Sequence, residues 1–493
     1  MRKLIIAAVV MGLGLFCLAG QEKVDARNAC LFTFNETPKA RPAAEKSSLA
    51  SVKEAEISID TATLLRPDLV RLDLPLFDGK TYRAQSEEIE TRGVSDTTWR
   101  GKIRKGEFVG DVILTIKNGY VSGLIYSPET VYEIVPKGDR QILVQLDQRL
   151  FPECAGDIKG DPAKVSAPSA APEAAIDSGD RIDVLVLYTT PVKNSLGGDA
   201  QAQAFAQSAI DVSNTAYRNS VIRQRVRLVN AQETTIAETG SLSSELTALR
   251  ANANVATLRN TFNADLVAMI SNSSDNCGIG FLMGSVAGNS NNGFTVTSRT
   301  CAVGNLSFPH EMGHNMGDAH NPENGSGGTY SYSFGHWVNG SYRTVMSYVD
   351  QCAAGCARQP YFSNPNISFN GVPTGIANAR DNARSMNNTA DAIAGYRYSG
   401  SSIQLSSFNG GDWLPRSANR TLIWTSDNIT GNVRIDMSRD EGLTWQPLIA
   451  STPNDGSEAF HVTGPLSRRI RLRLVSVNDT AVTDSSTSNL ATR

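Results

Sequence analysis

The chain has 493 residues, 40% of them hydrophobic, and its 46 Lys and Arg nearly balance 49 Asp and Glu for a net charge of -3. That balance excludes an electrostatic case for nucleic acid or an anionic membrane as partner, while the length predicts about three domains, each with enough apolar residues for its own core. Of seven cysteines, Cys17 lies in the leader and six remain, a usage that fits an oxidising compartment.

Arg2 and Lys3 precede an apolar run from Leu4 to Leu18 and small residues at Ala19 and Gly20, so residues 1–26 read as a secretory signal peptide cleaved after Ala19 or Ala26. Phe16 before Cys17 is too bulky for a lipoprotein signal. No later stretch reaches the ~18 apolar residues that span a bilayer, and a secreted protein without a stable membrane anchor is expected. Residues 27–158 carry alternating apolar runs at Gly110–Ile116, Tyr120–Tyr126 and Val131–Pro136, with the hairpin signal Asn118-Gly119 between the first two, and predict a β-rich domain. Residues 159–179 are rich in Pro, Ala and Ser without apolar periodicity, an exposed linker suited to maturation cleavage.

Residues 180–400 read as an α/β domain. Arg181–Thr190 predicts a buried strand, and Ala202, Phe205, Ala209, Val212 and Ala216 recur at helical spacing within Asp199–Ser220. A strand at Val226–Ile236, a helix at Leu242–Phe262 and a strand at Ala264–Ser271 complete the order β-α-β-α-β, which predicts a twisted mixed sheet. Two further strands, Cys277–Leu282 and Gly293–Ser298, lie between Cys277 and Cys301, which are expected to pair across them.

The segment SFPHEMGHNMGDAHN, from Ser307 to Asn321, holds three of the five histidines. His310 and His314 are four residues apart, so on a helix both imidazoles leave one face and can close on one metal ion. Glu311 between them is placed to accept a proton from a metal-activated water. Gly317 can take the left-handed conformation that ends a helix and return His320 towards the same metal. Three neutral nitrogens with an open fourth position make a catalytic rather than a structural zinc site. Ser307 is the expected N-cap, with Pro309 in the first turn, where a missing N–H costs nothing.

At these residues the chain resembles the metzincin metalloendopeptidases, whose signature is HExxHxxGxxH followed by a methionine-containing turn. Met346, within Tyr342–Tyr348 and 26 residues past His320, matches that methionine. The residues around the histidines look most like the adamalysin or reprolysin branch and its bacterial peptidyl-Asp metalloendopeptidases; Asn321 departs from the aspartate usual in adamalysins. The resemblance implies one catalytic Zn²⁺ on His310, His314 and His320, Glu311 as general base, and Tyr348 as an oxyanion donor or a fifth ligand. It also implies that Cys277–Leu282 lines the cleft and pairs with extended protein or peptide substrates, so that side-chain pockets discriminate.

Trp99–Pro136 is similar to the adamalysin-type propeptide, which implies that residues 27–158 form an inhibitory pro-segment. Cys154 is then a candidate switch whose thiolate blocks the metal; a Cys30–Cys154 disulfide is the alternative, and Asp157 is a weaker candidate for the same blocking role. Cys352 and Cys356 suggest a short local bridge, with a C-x3-C zinc site as alternative. His336 reads as a hydrogen-bonded structural histidine, and Ala377–Tyr398 as a closing helix. Arg343, Arg358 or Arg380 could supply a positive pocket for aspartate-directed cleavage, although each alone reads as a surface charge. Residues 401–493 show short alternating segments and an Asp-box-like S-x-D-x-G-x-T-W from Ser438 to Trp445, which suggest an accessory β-sandwich. The resulting expectation is a secreted, monomeric zinc endopeptidase made as a zymogen; the alternative from another class is a zinc-binding adhesin or toxin module without peptidase activity.

Overall fold

The computed structural model describes residues 28–492, apart from 157, 160–180, 398–400, 409–412, parts of 39–49 and a few shorter positions. The signal peptide, nearly all of the linker and Asp157 therefore lie outside the described residues.

The N-terminal part is one ten-stranded sheet. From Arg71–Pro75 through Thr81–Gly93, Asp96–Lys105, Phe108–Lys117, Tyr120–Tyr126, Val131–Lys137 and Arg140–Leu146 it is an antiparallel meander. Asn118 and Gly119 both have positive φ, +53° and +83°, as the tight hairpin requires. The middle of Phe108–Lys117 is buried on both faces, because alternate side chains serve two cores. Leu114 and Ile116 join Trp99, Val121 and Tyr132 in a core confined to the N-terminal part. Ile113 instead joins Leu124, Tyr126 and Val135 against Phe205, Ala206 and Ala209 of the long helix Asp199–Asn219.

That helix is buried nearly all round, its polar residues included. Asp211 turns away from solvent into the N-terminal sheet, where Thr98 and Thr115 donate to Oδ2 and Arg92 and Arg100 pair with Oδ1 at 3.2 and 3.4 Å.

A second sheet of six strands lies beyond the helix, in the order Ile158–Lys159, Gly278–Leu282, Phe294–Ser298, Leu266–Ser271, Arg181–Thr189 and Arg225–Thr234. All pairs are parallel except Gly278–Leu282 against Phe294–Ser298, so this is the mixed sheet expected, in a mixed α/β chain. The helix predicted at Leu242–Phe262 is two, Leu242–Ala251 and Ala253–Thr261, because Asn252 leaves the helical conformation and caps the second with its side chain on the amides of Asn254 and Val255. The closing helix is shorter than predicted, Asn382–Ala394, and starts where Asp381 accepts the Arg384 amide.

Past residue 401, three small sheets surround one apolar core containing Trp424, Ile435, Leu472 and Leu474. Within the Asp-box-like turn, Asp440 accepts the Thr444 amide at 2.9 Å and hydroxyl at 2.6 Å, and Trp445 stacks on the Arg473 guanidinium. These contacts are those of a stabilised turn.

Candidate active site

The helix Ser307–Asn315 runs beneath the outer strands of the six-stranded sheet. Its N-cap is Leu306, held at φ 55° and ψ 30° with its side chain fully buried, so Ser307 is the first helical residue and not the cap expected. Pro309 falls in the first turn. Gly317, at φ +96°, turns the chain out of the helix, and Ala319 bridges to Phe334, which returns His320 to the helix face.

The three imidazoles converge. His320 Nε2 lies 3.1 Å from His310 Nε2 and 3.0 Å from His314 Nε2, all fully buried. His310 Nδ1 contacts the Val345 carbonyl and His314 Nδ1 the Asp318 carbonyl, both at 2.8 Å. A carbonyl only accepts, so each Nδ1 carries the proton and each facing Nε2 is a bare lone pair. His320 Nε2 can donate to at most one of them, and the other pair is repulsive unless a cation lies between. Three nitrogens on one zinc at ~2.0–2.1 Å would stand about 3.4 Å apart, close to the spacing seen. Burial, then mutual charge, holds His310 and His320 well below the ordinary histidine pKa, the neutral form a metal ligand needs. The residues fit a single metal ion.

Glu311 is fully buried and lies against the strand Gly278–Leu282 so closely that a Cβ on Gly278 would sit 2.4 Å from its Oε1. The sequence marks this only as the run Gly278-Ile279-Gly280, which looks like ordinary strand interruption. Met346 is fully buried, and a Cβ on Gly313 would lie 2.6 Å from its Sδ, so the thioether packs straight onto the histidine helix. Asn321 accepts the Tyr348 amide at 3.0 Å and donates from Nδ2 to Glu323 and Asn324. An aspartate there would keep the first bond and lose the other two.

The cleft beside Glu311 is filled by the chain's own N-terminal segment. Cys154 is a buried free thiol, which excludes a Cys30–Cys154 disulfide; its Sγ lies within 4.8 Å of ligand atoms of both His310 and Glu311. Burial first, and the Glu311 charge second, push this thiol well above its ordinary pKa. Around it the Cys277 amide donates to the Glu153 carbonyl at 3.1 Å, and the Ala155 amide to the Gly278 carbonyl at 3.0 Å. Ile158 and Lys159 continue along the strand in parallel with Phe281 and Leu282. Tyr348 lies over His320 with ring centroids 4.2 Å apart, and its hydroxyl donates to the Cys154 carbonyl at 3.1 Å.

Cys277 is bonded to Cys301 and Cys352 to Cys356, so the latter pair holds no metal. Arg343 and Arg358 are buried, not surface charges, while Arg380 pairs with Glu323 at 2.7 Å. His336, buried and beside the Arg380 guanidinium, is pushed down to about 4 by burial and then by that charge, as a structural histidine would be. His461 bonds Asn419 in the C-terminal part.

A metallopeptidase centre of this design carries three convergent histidines, an adjacent carboxylate and a methionine floor. Residues 180–380 match the model of the reprolysin-like metallopeptidases of family M12B. The peptidyl-Asp metalloendopeptidase of Xanthomonas campestris pv. campestris is 30% identical over 417 residues, which cover 78% of this chain and 98% of that protein. The protein of the same name from Stenotrophomonas maltophilia strain R551-3 is also 30% identical, over 71% of this chain and 87% of that one. The chain belongs to the reprolysin-like metallopeptidase family, and it is a metalloendopeptidase.

Proposed function

We propose that this is a secreted zinc endopeptidase, made as a zymogen, that hydrolyses extracellular proteins before aspartate. The observation that carries the reading is the convergence of three buried Nε2 lone pairs with Glu311 beside them. When bound, zinc supplies Lewis acidity and lowers the pKa of a water at the site. His310 and His314 are held in the Nδ1–H tautomer by the Val345 and Asp318 carbonyls, which orients both rings. Glu311 takes the proton of the attacking water and passes it to the leaving amine. Tyr348, once released from the Cys154 carbonyl, donates to the oxyanion of the substrate.

Residues 27–158 act as the inhibitory pro-segment. The Cys154 thiol lies beside His310 and Glu311, Glu153 and Ala155 bond the cleft strand, and the Tyr348 hydroxyl is engaged by the same segment. The names of the relatives support cleavage before aspartate. A cleavage-site profile on a peptide library tests the reading, with a zinc chelator and Glu311→Ala as controls. Cuts before aspartate are expected. Glu311→Ala should bind zinc normally and lose at least about 10²–10⁴-fold in kcat; a variant that still cleaves at the wild-type rate would overturn the mechanism.

A further inference from the structure

Arg343 and Arg358 are 1% and 0% exposed, between the start of the histidine helix and the turn that holds Met346. Both donate to the Ser347 carbonyl, at 2.7 and 3.1 Å, and both reach Asn305, Arg358 at its carbonyl (2.9 Å) and Arg343 at its side-chain oxygen (3.4 Å). Every one of these acceptors is neutral. Neither Nε has a hydrogen-bond partner, and neither guanidinium forms an ion pair among the described residues. Burying two adjacent cations without a counter-ion is expensive; burial, with the Arg358 charge second, pushes Arg343 down to about 9. Arg100, by contrast, is buried against the carboxylates of Asp211 and Glu90, whereas Arg259 donates only to backbone carbonyls, neutral acceptors like those of this pair.

The pair adjoins the metal centre. Ser347 follows Met346 directly, and Asn305 stands just before the histidine helix Ser307–Asn315. What covers the pair comes from the N-terminal sheet and its tail. Gln148 accepts the Arg358 amide at 2.7 Å, and the charge of Glu153 acts on Arg343. The Glu153 carboxylate, accepting the Val349 amide at 2.9 Å, immediately precedes Cys154, whose thiol lies beside His310 and Glu311.

We propose that Arg343 and Arg358 form a carboxylate pocket that selects an acidic substrate side chain next to the cut bond, and that the N-terminal segment bearing Glu153 closes it without forming an ion pair. The planar forks suit bidentate recognition of a carboxylate, and removal of the N-terminal segment takes the cover away. The inference rests on the endopeptidase reading and names the residues behind its specificity.

Two measurements test it. In the first, kcat/KM is compared for two peptides that differ only in Asp or Asn after the cut bond, using the protein processed as its host secretes it. The native ratio should be about 100 or more and fall towards one in Arg343→Gln and in Arg358→Gln, with zinc content and circular dichroism as controls on folding. A ratio near one in the native protein, or an undiminished ratio in both variants, overturns the pocket. Loss of all cleavage by the native protein would strike the endopeptidase reading instead, and the second measurement needs no catalysis. Glu153→Gln in the full-length chain keeps an acceptor for Val349 but removes the charge. Cys154 should then react with a water-soluble maleimide at least tenfold faster, and the same change should add nothing in an Arg343→Gln, Arg358→Gln background. Unchanged labelling contradicts the role given to Glu153.

Discussion

Glu311 works at the closest approach in the site, and its chemistry depends on what is absent opposite it. A methyl group at Gly278 would meet its carboxylate at 2.4 Å with no room to retreat, since both residues are fully buried. Gly278→Ala should therefore lower kcat by at least tenfold while zinc content stays at the wild-type level, measured on paired samples by metal analysis and peptide hydrolysis. At this scale much was legible in the sequence: the spacing of His310, His314 and His320 implies imidazoles that can close on one metal ion, and Gly317 supplies the turn between them. Gly278 was not legible, because a glycine in a strand says that something comes close without saying what. Arg343 and Arg358 were read as surface charges for a related reason; an arginine carries its burial in the tertiary structure and not in its neighbours along the chain.

Elements were read well where one physical rule decided them and poorly where two competed. The strand Arg181–Thr189 and the hairpin at Asn118-Gly119 follow from β-branched burial and turn geometry alone. The long helix Asp199–Asn219 was found by its apolar period, which says nothing of Asp211, the anchor for two arginines of another sheet. Asn252 split a predicted helix because its side chain caps the next turn better than it continues the last. The bond from Cys277 to Cys301 ties the cleft strand to the turn before the histidine helix, closing a 24-residue separation. Replacing both cysteines by alanine should cost about 3 kcal/mol of unfolding free energy, read from denaturant titration, and should loosen the cleft edge before the sheet interior in hydrogen exchange.

Across the whole molecule, the N-terminal sheet and the α/β part share one apolar core, so their stabilities are coupled. Glu133 lies in that contact: its carboxylate faces Gly304, and burial pushes its pKa up to about 8. A carboxyl whose folded value is raised contributes stability that is complete below its ordinary value near 4.5 and is lost as pH rises towards about 8. The full-length chain should lose thermal stability over that window, and Glu133→Gln should flatten the loss; equal pH profiles for the two proteins would rule Glu133 out as the source. The coupling could not be read from sequence, since nothing local to Val131–Lys137 shows which surface it will meet. The most direct test of the account is a zinc titration of the metal-stripped, processed protein, following bound zinc and peptide hydrolysis together. The account predicts that both saturate at one zinc per chain and that replacing His320 by alanine abolishes both; full hydrolysis by protein shown to contain no metal would contradict it.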